Sequence, residues 1–308
     1  MTKSVTVYEV GPRDGLQNEP VILPTEAKIE FIHGLVNAGF KDIEVTSFVR
    51  PRWVPQLADA LDVVRHLPKA DDVTFWGLVP NRIGMERALE SGINGIATFM
   101  SASEAHNKRN INRSIGESLA AQKEVISTAV AEGLRVRCYL SVVFGCPYDG
   151  DIPVEQVVRL GHELLESGAE TLALGDTVGF ANPDQVTNVV RALSESGITP
   201  DKLSLHMHDT RGSALANVLA GLQAGVRIVD ASISGLGGCP YADGAAGNLA
   251  TEDLVNMLDG MGWKSGIDLV SAADVGMEVE RVLGRELPGR YHRYYSGTTS
   301  TANVCTAS

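Results

Sequence analysis

Two histidines one residue apart, His206 and His208, are the first residues in this chain whose type and spacing suggest chemistry. In the run Leu203-Ser204-Leu205-His206-Met207-His208-Asp209, apolar and polar residues alternate with the two-residue period of a β-strand. Leu203, Leu205 and Met207 then face one way, and Ser204, His206 and His208 face the other. Two imidazoles side by side on one face can reach a common metal ion. They can equally be a hydrogen-bonded strand pair with no ligand. Deciding between these needs partners from elsewhere in the chain.

The elements that would supply partners form a regular series. Apolar, β-branched runs at 5–10, 42–48, 73–79, 95–100, 135–143, 170–175, 202–208 and 228–234 predict strands. Segments with helical spacing lie between them. Ile29, Ile32, Leu35 and Val36 form one apolar face, and Val157, Leu160, Leu164 and Leu165 another. Helix starts are signalled by Thr25 after Pro24 and by Ser114-Ile115-Gly116-Glu117, which has the form of a capping box. Glycines 39, 92, 133, 168 and 225 stand just before the following strands, where a helix end accepts positive φ most cheaply in glycine.

Repeated βα units with short returns imply a parallel sheet, and eight of them predict an α/β fold, the (β/α)8 TIM barrel. A doubly wound open sheet is the alternative, disfavoured because no nucleotide-binding glycine fingerprint follows the first strand. The expected organisation is a catalytic barrel over residues 1–262 and a C-terminal extension over 263–308. The extension reads as a helix near 269–283, then a loop-like tail from Pro288 whose last residues are expected to be mobile.

In such a barrel the active site lies at the C-terminal ends of the strands. Strand one leads into Gly11-Pro12-Arg13-Asp14-Gly15-Leu16-Gln17, strand two carries Glu44 and Thr46, and strand six ends in Gly175-Asp176-Thr177. Strand eight leads into Gly235-Leu236-Gly237-Gly238-Cys239-Pro240 and then Gly247-Asn248. Each feature has a plain structural reading: an ion pair in a surface turn for Arg13-Asp14, helix caps for Asp176 and Asn248, a small buried residue for Cys239. Glu44 is harder to explain that way, because a carboxylate on an inward face needs a cation, and Arg13 is the candidate. The glycines before Cys239 read as a loop able to close over a site. Together Asp14, His206, His208 and Asn248 make a mixed oxygen and nitrogen ligand set. It suits Mg²⁺ or Mn²⁺, the second favoured by the imidazoles, and Zn²⁺ less well.

Composition narrows the class. The chain has 308 residues, 44% hydrophobic and 21% charged, with 26 basic against 38 acidic side chains and a net charge of −12. That balance argues against nucleic acid or an anionic membrane as partner. No signal peptide or membrane span is evident, and the four cysteines form no CxxC pair, so a reduced, cytoplasmic setting is expected.

Several blocks resemble the hydroxymethylglutaryl-CoA lyase family of the metal-dependent lyase and Claisen-condensing barrels. They are Val10-Gly11-Pro12-Arg13-Asp14-Gly15-Leu16-Gln17-Asn18-Glu19, Ile43-Glu44-Val45-Thr46-Ser47-Phe48, Gly145-Cys146-Pro147-Tyr148 and Gly175-Asp176-Thr177. His206-Met207-His208-Asp209-Thr210, Gly235 to Ala242 and Gly247 to Asp253 complete the set, and the last two are the most specific to the lyases. The resemblance implies retro-Claisen cleavage of 3-hydroxy-3-methylglutaryl-CoA to acetoacetate and acetyl-CoA, as in leucine and ketone-body catabolism. It implies one divalent cation, an acyl-CoA substrate and a homodimer. In this reading Arg13 stabilises the enolate, Cys239 is the acid, and Glu44 fixes Arg13. Asp14 is a ligand sharing general-base work, and Asp176 with His206 forms a proton relay. Lyases for longer 3-hydroxy-3-alkylglutaryl thioesters, a condensing acyltransferase and a non-catalytic barrel are the alternatives.

Overall fold

The computed structural model describes residues 3–238 and 247–305. Eight parallel strands close into a barrel in sequence order. They are β1 (Thr6–Glu9), β2 (Asp42–Ser47), β3 (Thr74–Leu78), β4 (Gly95–Ser101), β5 (Arg135–Ser141), β6 (Thr171–Asp176), β7 (Leu203–Met207) and β8 (Ile228–Ala231). Each lies inside the run expected from periodicity or differs from it by a residue at an end. Helices α1 (Thr25–Asn37), α2 (Ala60–Arg65), α3 (Arg82–Ser91), α4 (Glu104–Ile111), α5 (Ile115–Ala131) and α6 (Val154–Glu166) follow the first five strands. α7 (Pro183–Glu195), α8 (Ala214–Gln223), α9 (Thr251–Gly260), α10 (Leu269–Leu283) and α11 (Arg290–Cys305) follow the last three. The expected capping box at Ser114 is present with both of its bonds, and all five expected helix-stop glycines have positive φ.

Strand alternation sorts the side chains into two environments. Outward residues such as Ile43, Leu140, Leu172, Leu205 and Val229 join one large core beneath the helices. Inward residues form two small apolar clusters, one of Leu78, Ala97, Tyr139 and Ala173, the other of Tyr8, Val10 and Trp76. The remaining interior is polar, with Glu44, Arg137, Ser204, His206 and Asp230 all buried. A barrel meant only to be stable would fill this space with branched aliphatic residues.

The C-terminal tail departs from expectation. The stretch after Pro288 is helix α11, not loop. Its first turn is held by a distant carboxylate: the backbone N–H groups of Arg290 and Tyr291 donate to Asp253 at 3.1 and 2.6 Å. His292 pairs with Glu280 of α10 at 3.0 Å. A cap supplied from 37 residues away leaves no local signature. Residues 306–308, expected to be mobile, lie outside the described residues.

Glu9 ties the catalytic end of the barrel together from the outer face of β1. One oxygen accepts from the N–H groups of Gly11 and Ile233 at 2.8 and 2.9 Å, the other from the Thr251 hydroxyl at 2.6 Å. Burial pushes its carboxyl up to about 8, against the opposing effect of those hydrogen bonds. The folded chain therefore keeps a proton there up to about pH 8, whereas the unfolded chain releases it near 4.5. Stability should fall as pH rises between those values. Urea unfolding at pH 5 to 8 should show this slope in the wild type and a weaker one in Glu9→Gln; equal slopes would show that Glu9 is ionised in the fold.

Candidate active site

The turn after β1 delivers two charged groups at once. The Val10 carbonyl accepts from the N–H groups of Arg13, Asp14 and Gly15 at 3.1, 2.8 and 3.2 Å, winding the chain tightly at the rim. Glycine is required there by close approach. A β-carbon on Gly11 would fall 2.6 Å from Glu9 Oε1, and one on Gly15 would fall 2.9 Å from Leu236 Cγ.

Arg13 is buried and bridges two carboxylates, donating from Nε to Glu44 at 2.5 Å and from Nη1 to Asp14 at 2.6 Å. Glu44 also accepts from the Tyr139 hydroxyl at 2.6 Å. The expectation that Glu44 needs Arg13 is thus met on β2. Asp14 is equally committed. Its Oδ1 also accepts from Gln17 Nε2 at 2.8 Å, and its Oδ2 accepts from Asn248 Nδ2 at 2.9 Å. Burial alone would raise its carboxyl, but Arg13 and the two histidines outweigh that and hold it at about 2.

His206 and His208 meet Asp14 from across the barrel. Their Nε2 atoms are 3.3 Å apart, and His208 Nε2 lies 3.9 Å from Asp14 Oδ2. One ligand atom from each of Asp14, His206 and His208 falls within 4.8 Å of the others, and all three residues are buried. Burial, then the neighbouring His206, lowers His208 to about 4, so it is a neutral imidazole with a lone pair to offer. The buried guanidiniums of Arg13 and Arg137 face the carboxylates of Asp14, Glu44 and Asp230, which leaves one negative charge in excess. A divalent cation fits both the donors and the charge.

Asn248 reaches the group by an unexpected route. Segment 247–251 threads between the ends of β7 and β8: Leu249 N–H donates to the Met207 carbonyl, the Ser232 N–H just after β8 donates to the Leu249 carbonyl, and the Thr251 N–H donates to the Ser232 carbonyl. The Asn248 nitrogen serves Asp14 and the Leu236 carbonyl, so a ligand role would fall to its oxygen. Asp176 stands apart. Its carboxylate accepts from Phe180 and Ala181 N–H at 2.8 and 3.0 Å, and no hydrogen bond joins it to His206. In the sheet it pairs with outward-facing Met207, while His206 pairs with Gly175. Burial raises its carboxyl. Cys239 lies outside the described residues.

Three interior residues escaped sequence reasoning. Asp230 of β8 accepts from both Arg137 Nη2 and Ser204 Oγ, and its Oδ2 is 3.2 Å from His206 Nδ1. Burial would raise its carboxyl, but Arg137 and these bonds lower it. Tyr139 of β5 presents its ring edge to His206, centroids 5.3 Å apart. The available signal was the alternation itself: Arg137, Tyr139 and Asp230 are the inward positions of apolar runs.

The HMGL-like family profile matches residues 4–279. The hydroxymethylglutaryl-CoA lyase YngG of Bacillus subtilis is 51% identical over 288 residues, 94% of this chain and 96% of that protein. The solved B. subtilis HMG-CoA lyase superposes with a TM-score of 0.93 at 50% identity, over 96% of this chain and 98% of the other. An HMG-CoA lyase from Acinetobacter baumannii, solved with coenzyme A and 3-methylmalate, superposes with a TM-score of 0.89 at 39% identity over 94% of each chain. The buried Arg13–Asp14–Glu44 cluster and the paired histidines therefore sit in a chain that belongs to the HMGL-like family of carbon–carbon lyases, the hydroxymethylglutaryl-CoA lyases.

Proposed function

We propose that this chain cleaves 3-hydroxy-3-methylglutaryl-CoA to acetoacetate and acetyl-CoA in a divalent-metal-dependent retro-Claisen reaction. The observation that carries the reading is the convergence of Asp14, His206 and His208 at the catalytic rim, beside a guanidinium clamped by Glu44. The named activity of the B. subtilis relative and the coenzyme A bound to the A. baumannii lyase support an acyl-CoA substrate.

Asp14, His206 and His208 would hold the ion, joined by the Asn248 oxygen. Two nitrogens and two oxygens suit Mg²⁺ or Mn²⁺. A bound divalent ion supplies Lewis-acid charge that lowers the pKa of a substrate hydroxyl. The chain's own residues divide the remaining work. The C3 hydroxyl passes its proton to solvent water, the C2–C3 bond breaks, and its electron pair passes to the thioester carbonyl as an enolate. Arg13, buried and fixed by Glu44, faces that developing charge without having to reorganise. Cys239 returns a proton to C2, releasing acetyl-CoA. An Asp14 carboxyl held at about 2 is a feeble base, so its share is ligation more than proton transfer. Asp176 has its carboxyl raised by burial but turned to the Phe180 and Ala181 N–H groups, so a relay with His206 would need water to bridge them. Among the described residues no helix is long and apolar enough to cross a membrane, and Cys138 and Cys146 are free thiols. Both features are compatible with the cytoplasmic setting that this reading adopts.

Incubation with 3-hydroxy-3-methylglutaryl-CoA and Mg²⁺ should release acetoacetate. Turnover confined to a longer 3-alkyl analogue would move the substrate assignment to that thioester. Cys239→Ala should lower kcat by ~10²-fold or more, on the scale of a general acid, and leave Mn²⁺ affinity unchanged; wild-type turnover would remove the acid role. The chain is assigned as a homodimer, and light scattering should give twice the 32.8 kDa chain mass; a monomer mass would exclude it.

A further inference from the structure

The two histidines at the rim are supported very differently. His208 Nδ1 is buried with no hydrogen-bond partner among the described residues. His206 Nδ1 instead lies 3.2 Å from Asp230 Oδ2, an atom already 3.0 Å from Arg137 Nη2. The other Asp230 oxygen accepts from Arg137 Nη2 at 2.8 Å and from the Ser204 hydroxyl at 2.6 Å. Arg137 is in turn stacked over Tyr8, 3.6 Å from the ring centroid, and lies 4.8 Å from that of Tyr139. The side chains of Arg137 and Asp230 are 2% and 1% exposed, so neither can relax into water.

We propose that Asp230, oriented by Arg137 and Ser204, is the positioning residue that fixes the tautomer and ring orientation of His206. A carboxylate can only accept, so the atom of His206 facing it must be Nδ1–H. The remaining lone pair is then on Nε2, the atom that points at His208 Nε2. In the other tautomer Nε2 would carry hydrogen and block coordination. Outer partners of this kind orient metal-bound histidines and typically alter affinity 10–100-fold when removed.

The geometry also explains two features with no other role in the site. Arg137 is a guanidinium placed in a barrel interior below Tyr139, out of reach of Arg13's partners. Ser204 is a hydroxyl where the alternation would admit any small residue. Both serve Asp230. The inference rests on the metal reading above, and the experiment separates the two.

Deleting Asp230 alone would strand the Arg137 charge, so the test removes both. Arg137→Met/Asp230→Leu replaces the ion pair with apolar volume, and Arg137→Met/Asp230→Asn keeps a side-chain oxygen able to accept from Nδ1–H. Folding is checked by thermal unfolding. In metal-free protein with ¹⁵N-labelled histidine, wild-type His206 should show the Nδ1–H tautomer, the Leu variant should lose it, and the Asn variant should largely retain it. Calorimetry with Mn²⁺ should show 10–100-fold weaker binding for the Leu variant and partial recovery for the Asn variant, with His208→Ala as the control that abolishes the site. A folded Leu variant with wild-type tautomer and affinity would overturn the inference while leaving the metal site intact. Absence of Mn²⁺ binding by the wild type would overturn both.

Discussion

A guanidinium held between two carboxylates inside a closed barrel is the constraint on which the rest of this structure depends. Taking Arg13, Asp14 and Glu44 out of water carries a desolvation penalty of several kcal/mol per ion, recovered only when each charge finds well-aligned partners. Glu44 is completed by Tyr139, Asp14 by Gln17 and Asn248. Those partners come from β5, the turn after β1 and the segment before α9, so burying one cation recruits chain from both ends of the sequence. The outcome is an oriented positive charge that need not move when negative charge appears beside it.

A second buried pair, Arg137 with Asp230, repeats the arrangement below the first. The two are joined through His206, which touches Asp230 on one side and His208 on the other. Because carboxylates outnumber guanidiniums in this interior, the barrel carries a deficit of positive charge where the two imidazoles converge. Burial, then the neighbouring His206, lowers His208, while Arg13 overcomes burial to keep Asp14 ionised. One site thus offers imidazole nitrogens and carboxylate oxygens together, a set that suits a divalent ion.

The frame beneath is held by the buried carboxyl groups of Glu9 and Glu252, to which the mechanism assigns no step. Glu9 links the turn after β1, the strand-eight exit and α9, while Glu252 accepts from both the backbone and the hydroxyl of Ser234, a non-glycine residue at φ 52°. The Gly289 N–H donates to the Ser234 carbonyl at 2.8 Å, so the chain leading into α11 braces the base of the glycine-rich loop. The C-terminal extension is therefore packed against the segment that leads to Cys239.

Much of this was legible in the amino-acid order. Period-two alternation and glycine stops are local properties of the backbone, so the eight βα units and the side of β7 that bears His206 follow from them. Arg13, Asp14, His208 and Asn248 stood out at strand ends, where a barrel needs no ionisable groups, and Glu44 stood out as a carboxylate on an inward strand face. Tertiary structure decided what local pattern cannot carry. Arg137 and Asp230 are 93 residues apart, and only barrel closure makes them a pair. Asp176 sits at a strand end like the others, yet its register with Met207 turns its carboxylate to the following loop. Helix α11 begins where a distant aspartate satisfies its first N–H groups, not where its own residues favour a start. The first two depend on the energy of burying a polar group and the third on a partner distant in sequence, and a chain meets both only once it has closed on itself.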